Sequence, residues 1–273
     1  MKDTHSTHNK RIKITITNAE FNCRVLGNGA KNVIAFHGFG QDGNSFFPLA
    51  IKHPEYTIYS VDLPFHGETI IQDPSHCLTN REVKELIQKL LDLFAIDRFS
   101  LLGFSIGAKL LFPVLERFYS QVDKVWLLAP DGIKLNFWYS VATGTHLMRY
   151  LFRNLLNNPQ LLNRLGNGIQ ALHLIDKKTL SFSLKSINDK KKRKQVFYIW
   201  TYFRKLNLNP DRLSKVLNKS NILVLFILGE KDNIIPKSKI EPLFGKLNNS
   251  KIVTLSCGHY NLIEYFEDWN FGV

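Results

Sequence analysis

The sequence predicts an α/β fold: a mostly parallel, doubly wound sheet with helices on both faces and a helical segment inserted late in the chain. Three observations predict it. Short, continuous apolar runs recur along the chain, as strands buried on both faces require. Amphipathic helical patterns separate those runs. Residues 132–219 then break the alternation, with several helical stretches and no convincing buried strand.

The first ten residues are polar and read as a mobile tail. From Arg11 to Thr17 apolar and polar residues alternate strictly, the period of a half-exposed strand. Residues 20–26 are expected to return as its hairpin partner, ending at Gly27-Asn28-Gly29. Buried strands are expected at 33–36, 56–61, 100–102, 125–128 and 222–228, with a final strand at 252–255. Between them, residues 79–94 carry Val83, Leu86, Ile87, Leu90, Leu91 and Phe94 at helical spacing, with Asn80 as N-cap candidate. Residues 106–119 and 239–247 are further helix candidates. This alternation builds right-handed βαβ crossovers. Residues 1–131 and 220–273 therefore read as one sheet domain, and 132–219 as a helical insert with helices over 137–156, 160–175, 195–206 and 210–217. The aromatic stripe Phe197, Tyr198, Trp200, Tyr202 and Phe203 reads as helix packing, or else faces a ligand cleft in part.

Charge is distributed as unevenly as the pattern. Residues 132–219 hold 17 Lys and Arg against 3 Asp and Glu, a net +14, whereas the rest of the chain holds 19 against 20. The densest run is Lys190-Lys191-Lys192-Arg193-Lys194. Such a cluster is either a solvated surface or a lure for anionic substrates and acidic lipid headgroups. No recognisable nucleic-acid module accompanies it, so nucleic acid is not an expected partner. The longest apolar run, Ile222 to Leu228, is far short of the roughly 20 residues a membrane-spanning helix needs. The polar N-terminus lacks the apolar stretch of a secretory signal. Cys23, Cys77 and Cys257 are scattered, which fits neither a disulfide framework nor a zinc site, and a reducing cytoplasm is the expected location.

Gly103-Phe104-Ser105-Ile106-Gly107 is the sharpest chemical signal. It follows an apolar strand and opens a helix, the setting in which G-x-S-x-G forms a nucleophile elbow. Ser105 is thereby the candidate nucleophile, lifted to the carboxyl end of the sheet and to a helix N-terminus that favours a developing anion. A serine hydroxyl needs a base to take its proton. His259, in the loop after the last strand, is positioned to reach back over the sheet edge. The carboxylate that would orient it is Asp232, in the loop leaving strand 222–228; Asp131, after strand 125–128, is the alternative acid, and Glu230 a weaker one. Both favoured partners lie at carboxyl ends of strands, where open α/β sheets bind ligands. The backbone N–H of Ile106 is one expected oxyanion donor, and a second is expected from His37-Gly38-Phe39-Gly40, whose glycines let the backbone approach a substrate. The side chain of His37 reads as a structural hydrogen-bonder rather than a base, and that of His66 as stabilising its turn.

His37-Gly38-Phe39-Gly40, Asp62-Leu63-Pro64-Phe65-His66-Gly67, Gly103 to Gly107, Gly229 to Pro236 and Gly258-His259 stand in the order found in the α/β-hydrolase superfamily. Outside the insert the chain resembles that superfamily throughout, in particular its members with a helical cap. The resemblance implies an eight-stranded sheet with the cap entering after strand six, and it implies that the N–H of Phe39 is the second oxyanion donor. Phe65 departs from the pattern, since many relatives carry glycine there. Ser105 at the elbow excludes the aspartate-dependent haloalkane dehalogenases and epoxide hydrolases. The expectation is a serine hydrolase acting on a small carboxylic ester or related acyl compound, anionic if the basic insert selects it, with no cofactor and no metal. Acyltransferases and C–C bond hydrolases use the same triad, and a non-catalytic ligand-binding protein would be expected to have lost part of it. The basic insert reads first as a solvated surface, with peripheral contact to acidic membranes as the alternative.

Overall fold

A computed structural model of the chain describes residues 9–134, 137–161, 164, 189–206 and 208–267. Most of the expected N-terminal tail and nearly all of the helix expected over 160–175 lie outside them. The alternating segment forms β1 (Asn9–Ile16), paired antiparallel with β2 (Ala19–Leu26). Then come β3 (Lys31–Phe36), α1 (Phe47–Lys52), β4 (Tyr56–Val61) and the two-residue β5 (Ile70–Ile71). Next are α2 (Asn80–Phe94), β6 (Phe99–Phe104), α3 (Ala108–Phe118) and β7 (Val122–Leu128). α4 (Phe137–Gly144), α5 (His146–Asn157) and α6 (Lys190–Tyr202) follow. The chain closes through α7 (Pro210–Ser220), β8 (Leu223–Gly229), α8 (Glu241–Phe244), β9 (Ser250–Leu255) and α9 (Leu262–Glu267).

The sheet runs β1-β2-β4-β3-β6-β7-β8-β9, with β5 added beside β2. From β4 to β9 all neighbours are parallel, and the antiparallel pairings are those β2 makes with β1, β4 and β5. The eight strands of that path are the eight expected, and the helical segment enters after β7, the sixth of them. Every residue of β4 and β6 is buried, which explains why they read as largely apolar runs. The strand order reverses beside β3, and the elbow follows β6 at the carboxyl ends of the strands there.

Local chemistry moves several boundaries. The cap of α2 is Thr79, not Asn80: its hydroxyl accepts from the Glu82 N–H while the Glu82 carboxylate accepts from the Thr79 N–H at 2.9 Å, a reciprocal capping box. The helix expected over 137–156 is two helices, because Thr145 caps a new one by accepting from the Met148 N–H. α6 begins at Lys190, so the basic run forms its first turn behind the Asp189 cap. Only Glu241–Phe244 is α-helical in the candidate helix 239–247.

By its internal contacts the chain divides into two compact units. One comprises residues 1–73, 79–134 and 206–273, and the other residues 74–78 and 135–205. The sequence boundary of 132–219 differs at its far end: α7 belongs to the first unit, where Leu213 and Leu217 are buried. Charge marked that boundary, whereas packing decides it. No described helix is long and apolar enough to cross a membrane.

Candidate active site

The elbow is built by close contact. Ser105 has φ +52°, a left-handed conformation that costs a non-glycine residue about 1–3 kcal/mol and persists only where the surroundings enforce it. They do so through its two glycines. A Cβ on Gly103 would sit 2.6 Å from Leu111 Cδ1 and 2.9 Å from Ala108 Cα, and one on Gly107 would sit 2.4 Å from the carbonyl oxygens of Phe36 and His37. The strand-to-helix turn can close this tightly only without side chains at both positions. From the loop after β7, the Asp131 N–H donates to the Ser105 carbonyl at 3.0 Å.

The Ser105 hydroxyl meets His259 Nε2 at 3.0 Å, and His259 Nδ1 meets Asp232 Oδ2 at 2.6 Å. One tautomer satisfies both contacts: Nδ1–H donates to the carboxylate, and Nε2 accepts from the hydroxyl. All three residues are buried, at 9%, 8% and 6% relative exposure. The second carboxylate oxygen of Asp232 accepts from the N–H groups of Ile234 (2.8 Å) and Ile235 (2.9 Å), so the carboxylate is locked as well as satisfied. Burial pushes its pKa up. The hydrogen bond and charge of His259, with the two backbone donors, outweigh that push and hold the carboxyl below its ordinary range. The loops carrying acid and base are sewn together by Glu230 N–H to Leu255 O (2.8 Å) and Lys231 N–H to Cys257 O (3.0 Å).

The alternative acids lie elsewhere. Asp131 has its carboxylate 3.5 Å from the buried Lys109 ammonium and accepts from the Gly132 N–H at 2.8 Å. Glu230 is exposed and accepts from the Ser256 hydroxyl at 3.0 Å.

Facing the elbow is the loop 37–43. The Gly38 N–H donates to Gln41 Oε1 (2.9 Å) and the Gly40 N–H to His66 Nε2 (3.0 Å). Between them the Phe39 N–H has no acceptor among the described residues, as a donor kept for a ligand would. The Ile106 N–H belongs to the first turn after Ser105, where amides have no partner inside the helix.

His37 and His66 form a clasp between this loop and 62–69. His37 donates Nδ1–H to the Gly38 carbonyl (2.8 Å) and accepts the Leu63 N–H on Nε2 (3.0 Å). His66 donates Nδ1–H to the Pro64 carbonyl (3.0 Å) and accepts the Gly40 N–H. Each ring must stay neutral to accept. Burial lowers the pKa of both and, with the neighbouring His37, carries His66 down to about 3. The buried Asp62 carboxylate secures the same loop by accepting from Asn22 Nδ2 (2.7 Å), Gly43 N–H (2.6 Å) and Glu68 N–H (2.9 Å). Phe65 has φ +63°, so the position where relatives carry glycine requires here the backbone that glycine prefers.

Three contributors escape a reading of the motifs alone. Phe104 lays its ring 5.1 Å from the His259 imidazole and fills the space over Gly38. His66 holds the loop 37–43 through the Gly40 N–H besides its own turn, and Lys109 engages Asp131. For His66 the signal was present, a histidine in a Gly-rich turn. For the other two, pairing across 22 residues or more left no local pattern. Among the described residues no group of three or more His, Cys, Asp or Glu side chains is gathered as a metal ion would need.

The fold and this constellation define a class that comparison with known proteins establishes. The profile of the alpha/beta hydrolase fold family matches residues 31–265. The chain belongs to that family and is an enzyme of the hydrolase class. An uncharacterized hydrolase of Saccharomyces cerevisiae is 22% identical over 252 residues, covering 86% of this chain and 84% of its own. Among solved structures, a 2-hydroxy-6-oxo-6-phenylhexa-2,4-dienoate hydrolase of a Rhodococcus species superposes with a TM-score of 0.63 at 18% identity, over 96% of each chain. A thermophilic esterase of Thermogutta terrifontis gives 0.62 at 18% identity, over 93% of each chain.

Proposed function

We propose that the protein is a serine hydrolase that cleaves a carboxylic ester through an acyl-enzyme. Ser105 Oγ bonds to the carbonyl carbon as its proton passes to His259 Nε2. Asp232, ionised throughout, holds the Nδ1–H tautomer and stabilises the imidazolium that forms. The carbonyl oxygen, now an anion, is received by the N–H groups of Phe39 and Ile106. As the tetrahedral intermediate collapses, the carbon–oxygen bond to the alcohol breaks and His259 returns the proton to it. Water then repeats the sequence on the acyl-serine and frees the acid.

The observation that carries this reading is the continuous relay Ser105–His259–Asp232, at 3.0 and 2.6 Å, with an uncommitted amide at Phe39. The test is turnover of p-nitrophenyl esters of graded acyl length beside Ser105→Ala, together with fluorophosphonate labelling. Labelling confined to the wild type, with ester turnover, supports the reading. Labelling that survives Ser105→Ala removes that residue from the mechanism.

A further inference from the structure

The second unit carries a surface unlike the rest of the molecule. Among the described residues, twelve large hydrophobic side chains are exposed, and seven of them fall between residues 137 and 161. On α4, Phe137 is 69% exposed, with Trp138 and Val141 beside it. On α5, Leu147 (61%), Tyr150 (63%) and Leu151 (49%) recur at the i, i+3, i+4 spacing of one helix face. The opposite faces are otherwise engaged. Tyr139 lies 5.3 Å from the Trp200 ring and donates its hydroxyl to the Trp200 carbonyl, and Phe152 stacks on Trp200 at 5.3 Å. α5 is therefore apolar on two sides, and α6 uses one of them.

Charge says what the other side fits. Residues 135–205 contain 13 Lys and Arg and only two acidic residues, Asp176 and Asp189. Neither α4 nor α5 has an acidic residue, and the exposed Arg153 lies three residues beyond Tyr150, at the rim of the apolar face. Lys190, Lys191, Lys192 and Lys194 are exposed on the first turns of α6. Aromatic and leucine side chains bordered by cations are the composition with which a helix lies in a lipid interface. A second copy is the poorer occupant, because a two-fold contact would set the cationic surface against itself.

We propose that the exposed face of α4 and α5 docks on anionic lipid bilayers, the rings and leucines entering the acyl boundary and the cations meeting the headgroups. The protein then lies on the membrane and does not cross it. This rests on neither Ser105 nor its partners. The experiment is co-sedimentation of the full chain with phosphatidylcholine vesicles, with and without phosphatidylserine, at rising salt. Expected are binding only when phosphatidylserine is present, release as salt screens the charges, and a loss of about tenfold or more for Leu147→Asp with Leu151→Asp, where apolar area is removed and like charge added. On the wild type, quenching of tryptophan fluorescence by lipids brominated in their acyl chains, absent from Trp138→Phe, gives a reading independent of how the double variant folds. Failure to bind, binding untouched by both salt and the variants, or a solution dimer that Leu147→Asp with Leu151→Asp dissociates would each overturn the proposal.

Discussion

Two aspartates leave neighbouring strands of one sheet, both within reach of Ser105's surroundings, and they are treated differently. Asp232, after β8, is buried, with one oxygen on His259 and the other on two backbone amides. Asp131, after β7, is about a third exposed at its side chain and faces the ammonium of Lys109. What separates them is not distance along the chain but the number of fixed donors each carboxylate receives. A carboxylate that must orient an imidazole has to be immobile and ionised, and the Ile234 and Ile235 amides provide both conditions for Asp232. Asp131 serves the elbow through its backbone, donating to the Ser105 carbonyl, and leaves its side chain to Lys109.

The largest way to break this contrast is Asp232→Asn. Its amide cannot hold the Nδ1–H tautomer, and turnover should fall about 10⁴-fold with the elbow intact. Asp131→Asn should alter kcat by no more than roughly threefold, since only its side-chain charge changes. Equal losses from both, read by steady-state kinetics, would erase the distinction.

Next in size is His66→Ala, which frees the Gly40 amide beside the proposed oxyanion donor. Removing such a donor outright costs about 10²–10³ in kcat, so loosening its neighbour should cost roughly tenfold to a hundredfold, with KM little moved. A change in KM alone would place His66 outside the oxyanion loop's geometry.

The same clasp sets a pH dependence of stability. Unfolded imidazoles titrate near 6.5, whereas folded His37 lies below that and folded His66 near 3. Between those values the unfolded chain binds more protons, so stability is full above about 6.5 and declines as pH falls toward 3. Asp232 acts in the same direction further down, its depressed carboxyl contributing stability that is lost as pH drops below the ordinary carboxylate range. Urea midpoints from pH 7 to 4 should decrease steadily in the wild type and more shallowly in His66→Gln. Parallel slopes would remove His66 as a contributor.

The smallest expected effect is that of Lys109→Met. An apolar side chain of similar length replaces the buried stem, and Asp131, partly open to water, can hydrate. Stability should change by about 1 kcal/mol or less and kcat hardly at all. A loss comparable to Asp232→Asn would make the Lys109–Asp131 pair part of the catalytic apparatus.

Much of this was legible before any coordinates, for a physical reason. Strands buried on both faces are largely apolar, so β4 and β6 announced themselves, and a strained elbow admits few residues, so Gly103-Phe104-Ser105-Ile106-Gly107 did too. The choice of Asp232 over Asp131 needed topology as well, because both follow parallel strands. Illegible were contacts with no periodicity: Phe104 against His259, Lys109 reaching Asp131, and the reciprocal cap that makes Thr79 rather than Asn80 the start of α2. The end of the insert was misjudged because charge continues into α7 through Arg212, Lys215 and Lys219, while packing had already returned that helix to the sheet unit.

The crowding around Gly103 and Gly107 has a further consequence. Because main-chain contacts fix the backbone at residue 105, the Cβ of any short side chain written there would leave from the same point above the sheet. A sulfhydryl introduced by Ser105→Cys would start from that Cβ, and the proposed attacking atom could be exchanged while the backbone around Gly103 and Gly107 stays as it is.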